Sequence, residues 1–227
     1  ADRLGHKTLS HVNRLIRAGI LREVVKAEVR AGAGPEWEKA AGDTDAKRLT
    51  PGQRRAHDHI LAGLGAFHAN VLFGVTGSGK TEVYLRAAAA ALACGRSVLL
   101  LVPEIALVPA LAAAARERFP HELAVLHSGL GAAERQQEWA RVRTGEARLV
   151  VGPRSALFAP VSRLGLIVVD EEQDLSYKQD SSPRYQGRDL ALMRAKLAGA
   201  VAVLVSATPS LETRQAVLSG RMAPLTL

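Results

Sequence analysis

The sequence predicts an α/β lobe in which helices cover both faces of a parallel sheet, and two observations carry that expectation. From about residue 49 onward, short apolar runs at residues 71–73, 97–102, 123–126, 148–151, 166–169 and 201–205 alternate with helical stretches. The runs are almost continuously apolar rather than alternating with polar residues, which is the pattern of strands buried on both faces. Ligands on such sheets sit at the carboxyl ends of the strands, so the loops following each run are where chemistry is sought.

The first such loop is Gly74-Val75-Thr76-Gly77-Ser78-Gly79-Lys80-Thr81. It follows an apolar run and opens a helix near Lys80, the strand–loop–helix setting that gives G-x-x-x-x-G-K-[ST] its meaning as a phosphate-binding loop. Glycines let backbone N–H groups curl around phosphate oxygens, and the helix N-terminus adds its dipole. Lys80 is expected to reach the β- and γ-phosphates of ATP and the Thr81 hydroxyl to ligate Mg2+. A second loop, Asp170-Glu171-Glu172-Gln173-Asp174, ends the apolar run Leu166-Ile167-Val168-Val169. Asp170 is expected to hold the metal through water and Glu171 to take a proton from the attacking water. A third, Ser206-Ala207-Thr208-Pro209, ends another buried run; its hydroxyls can bond the acidic loop and report the state of the γ-phosphate.

Residues ahead of this lobe divide into two stretches. Leu9, Val12, Leu15 and Ile16 recur at helical spacing behind a capping Thr8, stop at Gly19, and are followed by β-branched residues through position 29. A helix, a glycine and a ribbon suit a small winged-helix segment over residues 1–30, with Arg14 and Arg17 on its DNA-binding face; a helical hairpin is the alternative. Glycine, proline, alanine and charge dominate residues 31–48, a linker, and residues 49–227 form the ATP-binding lobe.

Composition narrows the function classes. No apolar run reaches the roughly 18–20 residues of a membrane span, so a cytoplasmic protein without a membrane partner is expected. A single cysteine, Cys94, makes no internal disulfide and no cysteine zinc cluster, so no zinc is expected here. A net charge of +8 suits a polyanionic partner.

Several longer stretches join these loops: Leu101-Val102-Pro103-Glu104-Ile105-Ala106-Leu107, His127-Ser128-Gly129-Leu130, and Val151-Gly152-Pro153-Arg154-Ser155-Ala156-Leu157-Phe158-Ala159-Pro160. Together, from about residue 49 to 213, they resemble the ordered motifs of superfamily 2 helicases, and more specifically those of the bacterial primosomal helicases of replication restart. The resemblance implies a RecA-like first motor lobe of an ATP-dependent 3′-to-5′ DNA helicase, acting on forked and single-stranded DNA with primosome and single-strand-binding proteins. A catalytically attenuated fork-binding scaffold is the alternative. It further implies that Gln53 contacts adenine and that Gln173 acts in the catalytic set, bridging the γ-phosphate region to Ser206, Ala207 and Thr208. Glu104, Arg154 and Ser155 would lie on the single-stranded DNA path. The loop from 175 to 188 would be an aromatic-rich DNA-sensing loop with Tyr177, Lys178, Arg184 and Tyr185, since tyrosines beside cations can stack bases and hold phosphates.

Three departures from that family's usual pattern stand out: Gln173 in place of a histidine, Pro153 in place of a threonine, and no tryptophan after Asp180. The 227 residues stop before the second motor lobe that the resemblance implies, so they are expected to be part of a longer protein and to hydrolyse ATP poorly alone.

Overall fold

A computed structural model of the protein describes residues 49–227. The readings for residues 1–48, namely the winged-helix segment with Arg14 and Arg17 and the linker, lie outside the described residues.

The chain runs α1 (Pro51–Ala62), β1 (His68–Phe73), α2 (Lys80–Ala93), β2 (Ser97–Leu101), α3 (Val108–Arg118), β3 (Leu123–Val125) and α4 (Ala132–Thr144). It continues through β4 (Leu149–Gly152), β5 (Leu164–Val169), β6 (Lys178–Gln179), β7 (Tyr185–Gln186), α5 (Gly187–Ala198), β8 (Val201–Ser206), α6 (Leu211–Leu218) and β9 (Ala223–Thr226). Seven strands make one sheet in the order β3-β4-β2-β5-β8-β1-β9, every neighbouring pair parallel. This is the parallel sheet covered on both faces that the alternation of runs predicts, with all six expected strands present, and it matches the RecA-like P-loop lobe that the resemblance implies.

Local chemistry sets the element ends. Thr50 caps α1 with a reciprocal box, its side chain accepting from the Gln53 N–H while the Gln53 side chain accepts from the Thr50 N–H, and Pro51 supplies the first helical φ. Ser210 caps α6, accepting from the Thr213 N–H. Gly145 and Gly199 close α4 and α5 in the left-handed conformation that other residues avoid.

Strand side chains alternate between two cores. Val98, Leu100, Leu166 and Val168 join α1, α2 and α3 on one face, while Leu99, Leu101, Ile167 and Val169 join α4, α5 and α6 on the other. All six residues of β5 are buried, which is why its sequence shows no polar alternation. No helix among the described residues is long and apolar enough to cross a membrane.

Two elements go beyond the sequence expectation. β9 is a seventh strand that, among the described residues, pairs only with β1; it tolerates Pro224 because an edge strand can do without one ladder donor. β6 and β7 form a small antiparallel hairpin inside the loop that follows the acidic motif.

The end of β5 is tied to α5 and α6 by a buried ion pair. Glu172, 1% exposed, accepts from the Ser210 N–H at 2.7 Å, the Thr213 hydroxyl at 2.9 Å, the Ser210 hydroxyl at 3.1 Å and the Arg188 guanidinium at 3.3 Å. Arg188 is itself buried, and its guanidinium also donates to Ser210 Oγ at 2.6 Å. Removing one partner of such a pair strands the other charge away from water. Arg188→Ala is therefore expected to lower unfolding free energy by about 3–5 kcal/mol in denaturant titration. A loss below about 1 kcal/mol, the range of exposed pairs, would contradict this account of the junction.

Candidate active site

The strand order sorts the functional loops before any side chain is considered. The carboxyl ends of β1, β8 and β5 lie side by side and carry the phosphate loop, the Ser206 loop and the acidic loop. On the other side of β5, the ends of β2, β4 and β3 carry Glu104, Arg154 with Ser155, and His127. β5 borders both groups.

The phosphate loop connects β1 to α2. Gly77 and Gly79 have φ of 81° and 82°, and a Cβ at Gly79 would run into the Gln53 amide, so neither position accepts another residue without strain. Gly79 is the N-cap of α2 and offers no side chain to its first-turn N–H groups, which leaves that positive helix end open to an anion. Lys80, buried, crosses the loop and donates to the Gly74 carbonyl at 2.7 Å and the Val75 carbonyl at 3.1 Å. The Ser78 hydroxyl is buried with no hydrogen-bond partner, while Val75, Thr76 and Gly77 are exposed at the loop tip. Gln53 reaches in from α1 and donates to the Ser78 carbonyl at 2.8 Å. An open helix end, a buried ammonium and an unpartnered hydroxyl fit a nucleotide phosphate chain.

Asp170 extends β5 by one ladder bond, its N–H donating to the Leu101 carbonyl at 2.9 Å. Its Oδ2 accepts from the Tyr84 hydroxyl at 3.0 Å and its Oδ1 from the Glu171 N–H at 3.1 Å. Burial raises the Asp170 pKa from its ordinary value; the Tyr84 hydrogen bond and the Lys80 ammonium oppose that rise and the Glu171 carboxylate adds to it. A carboxylate so placed is well suited to a cation. Glu171 sits at φ 45°, an uncommon conformation for glutamate, and its Oε2 accepts from the Gln173 amide at 2.8 Å. The Gln173 oxygen accepts from the Ser206 hydroxyl at 2.6 Å, and Ser206 Oγ accepts from the Thr208 N–H at 2.8 Å. A neutral amide donates at one end and accepts at the other, so one side chain joins the acidic loop to the β8 loop. Ser206 is fully buried, whereas Ala207 and Thr208 are exposed.

Beyond β5 the side chains differ in part from the sequence expectation. Tyr177, expected to stack bases, is fully buried, and its hydroxyl donates to the Asp170 main-chain carbonyl at 2.7 Å; a ring packed into the core offers no face to a base. Arg154, expected on a DNA path, spends its guanidinium internally on the Ser176 carbonyl at 2.9 Å, on the Lys178 carbonyl and on the Gln179 side chain, and lies 5.5 Å from the Tyr185 ring centre. It fastens the β6–β7 hairpin to the loop after β4. Glu104, Ser155, Lys178 and Arg184 are exposed, Lys178 pairing with Asp180 at 3.1 Å. Tyr185 is half-buried and meets the exposed Phe158 edge-on, ring centres 5.6 Å apart.

Sequence reasoning assigns no role to Tyr84, Glu172 or Phe158. Only Tyr84 left a usable trace, a tyrosine one turn after Thr81 on the same helix face. A groove of about 920 Å³ between α5 and α6, lined by Phe67, Leu192, Leu211 and Met222 among others, contains no phosphate-loop residue. Lys80, Asp170 and Glu171, carried by the same edge of the sheet, make that edge rather than the groove the candidate site.

Comparison with known proteins agrees with this geometry. The chain is 50% identical over 178 residues to Replication restart protein PriA of Chlamydia pneumoniae, covering 77% of this chain and 24% of that protein. It is 42% identical over 204 residues to Replication restart protein PriA of Bacillus subtilis, covering 89% and 25% respectively. The chain thus spans about a quarter of the length of these curated relatives. In fold it is similar to RecG bound to a three-way DNA junction, with a TM-score of 0.61 at 21% identity over 79% of this chain and 24% of that one. Residues 50–217 match the DEAD/DEAH box helicase family across the phosphate loop, the acidic loop and the Ser206 loop, and the chain belongs to that family.

Proposed function

We propose that residues 49–227 are the first of two motor lobes of a DNA-dependent ATPase that unwinds DNA 3′ to 5′ during replication restart in the cytoplasm. The observation that carries this reading is the hydrogen-bonded bridge from Glu171 through Gln173 to Ser206, which links the acidic loop to a neighbouring strand end beside the phosphate loop. The likeness to the PriA proteins supports the same assignment.

In this reading Lys80 leaves the Gly74 and Val75 carbonyls for the β- and γ-phosphates of ATP, and the open N-terminus of α2 holds the phosphate chain. Gln53, already against Ser78, lies beside the adenine. Thr81 would offer magnesium a protein oxygen, and Asp170 would hold it through one of the several waters the ion keeps. Bound magnesium supplies charge neutralisation on the phosphate oxygens. Glu171 accepts the proton of the attacking water, and Gln173 passes the rearrangement to Ser206, Ala207 and Thr208. An arginine from a second lobe stabilises the transition state in such motors, so this lobe by itself hydrolyses ATP slowly. Glu104, Ser155, Lys178, Arg184 and Tyr185 border single-stranded DNA at forks, where primosome and single-strand-binding proteins are the protein partners.

Lys80→Ala is expected to weaken ADP and ATP binding at least severalfold in calorimetry, because charge-assisted hydrogen bonds contribute about 1.5–3 kcal/mol. Equal affinities in the two proteins would refute the phosphate site.

In the whole protein, Glu171→Gln is expected to retain ATP binding and lose DNA-stimulated turnover, since an amide cannot take the proton from water. Equal, negligible turnover by wild type and variant, with fork binding intact in both, would instead identify an attenuated scaffold.

A further inference from the structure

The two residues read as magnesium ligands come from different strand ends, Thr81 after β1 and Asp170 after β5, so something must fix the distance between them. Tyr84 is placed to do so. It lies one turn beyond Thr81 on α2, is 1% exposed, and donates its hydroxyl proton to Asp170 Oδ2 at 3.0 Å. Thr81 stands in the first turn of the same helix, so this bond ties the end of α2 that carries Thr81 to the end of β5.

We infer that Tyr84 is a positioning residue whose hydroxyl holds Thr81 and Asp170 at the separation a magnesium–nucleotide complex requires. The inference rests on the reading of these two residues as metal ligands. A phenol has one proton to give, and here it goes to the carboxylate; the second carboxylate oxygen is held by the Glu171 N–H. Each oxygen of Asp170 thus has one fixed donor, which sets the carboxylate's rotation while leaving lone pairs for metal-bound water. A phenylalanine would fill the same space and leave the carboxylate free to turn. Tyr177 is the natural control: it is as deeply buried, hydrogen-bonds the same residue, but acts on its main-chain carbonyl rather than on the carboxylate.

The test measures affinity for a fluorescent ADP analogue, with magnesium and with excess chelator, for the 227-residue chain and its Tyr84→Phe, Tyr177→Phe and Asp170→Asn variants. Thermal midpoints verify folding. Tyr84→Phe is expected to leave the chelator affinity within about twofold and to cut the magnesium-dependent gain about five- to tenfold, the scale of one intramolecular hydrogen bond. Tyr177→Phe is expected to lower the thermal midpoint while leaving the magnesium gain within about twofold, because its bond to a main-chain carbonyl is structural. Should Tyr84→Phe be poorly folded, hydrogen exchange of the wild-type chain with ADP reads the same tie: magnesium is expected to slow the α2 amides around Tyr84 together with those of Asp170 and Glu171, and slowing confined to the phosphate loop overturns the role of Tyr84. An unchanged magnesium gain in Tyr84→Phe, with that gain abolished in Asp170→Asn, overturns the role of Tyr84 alone. Equal losses in the two tyrosine variants overturn it too, by showing general loosening. No magnesium gain in wild type, or a full gain in Asp170→Asn, overturns the metal-ligand reading along with it.

Discussion

Parallel strands can be joined only by crossovers, so every loop that leaves the carboxyl edge of this sheet emerges at the same rim. That constraint makes the rest of the molecule possible. It places the phosphate loop, the acidic loop and the Ser206 loop on three adjacent strands, though Gly74 and Ser206 are far apart in sequence. Direct stitches follow: the Gly74 N–H donates to the Ser206 carbonyl at 3.4 Å, and the Glu172 N–H to the Val205 carbonyl at 3.0 Å.

Strand β5 is the border between two territories, and the acidic loop divides its labour accordingly. Asp170 and Glu171 face the nucleotide side. Glu172 turns inward to Arg188, Ser210 and Thr213, anchoring α5 and α6. Gln173 faces Ser206. In the proposed function these four consecutive residues serve metal, proton, scaffold and relay. A histidine at position 173 would bring a titratable group; the glutamine makes the same bridge with one donor and one acceptor and no dependence on protonation. Tyr177, seven residues beyond Asp170, ties the hairpin loop back to the metal-bearing residue through its main-chain carbonyl. The hairpin and Arg154 are in turn joined, so a continuous hydrogen-bonded path runs from the loop after β4 to Asp170.

Much of this was legible in the sequence because its causes are local. Glycines at 74, 77 and 79 are dictated by backbone geometry, and the six apolar runs by burial on both faces. β9 was not legible: Ala-Pro-Leu-Thr has too little apolar character and a proline, and its strand state depends on docking beside β1. Tyr177 looked like a surface aromatic because its neighbours Lys178 and Arg184 are charged and exposed; its burial is decided by the second core, which no neighbouring residue reveals. Arg154 looked free for the same reason, since its acceptors lie more than twenty residues away. Glu172 takes no role from the acidic run's pattern, because its partners Ser210 and Thr213 arrive from another strand end. Short-range pattern finds elements and motifs; side-chain partnership across loops is a property of the assembled rim.

The central claim is that the Gln173–Ser206 bridge transmits nucleotide state, and a double-mutant cycle tests it most directly. Gln173→Ala, Ser206→Ala and the double variant would be prepared in the whole protein, and the ATP-induced change in single-stranded DNA affinity measured for each. Side chains acting as one relay should show a coupling energy of about 0.5–3 kcal/mol, the double variant losing little beyond either single one. Losses that add to within about 0.3–0.5 kcal/mol would mean that the bridge carries no signal and only supports the fold.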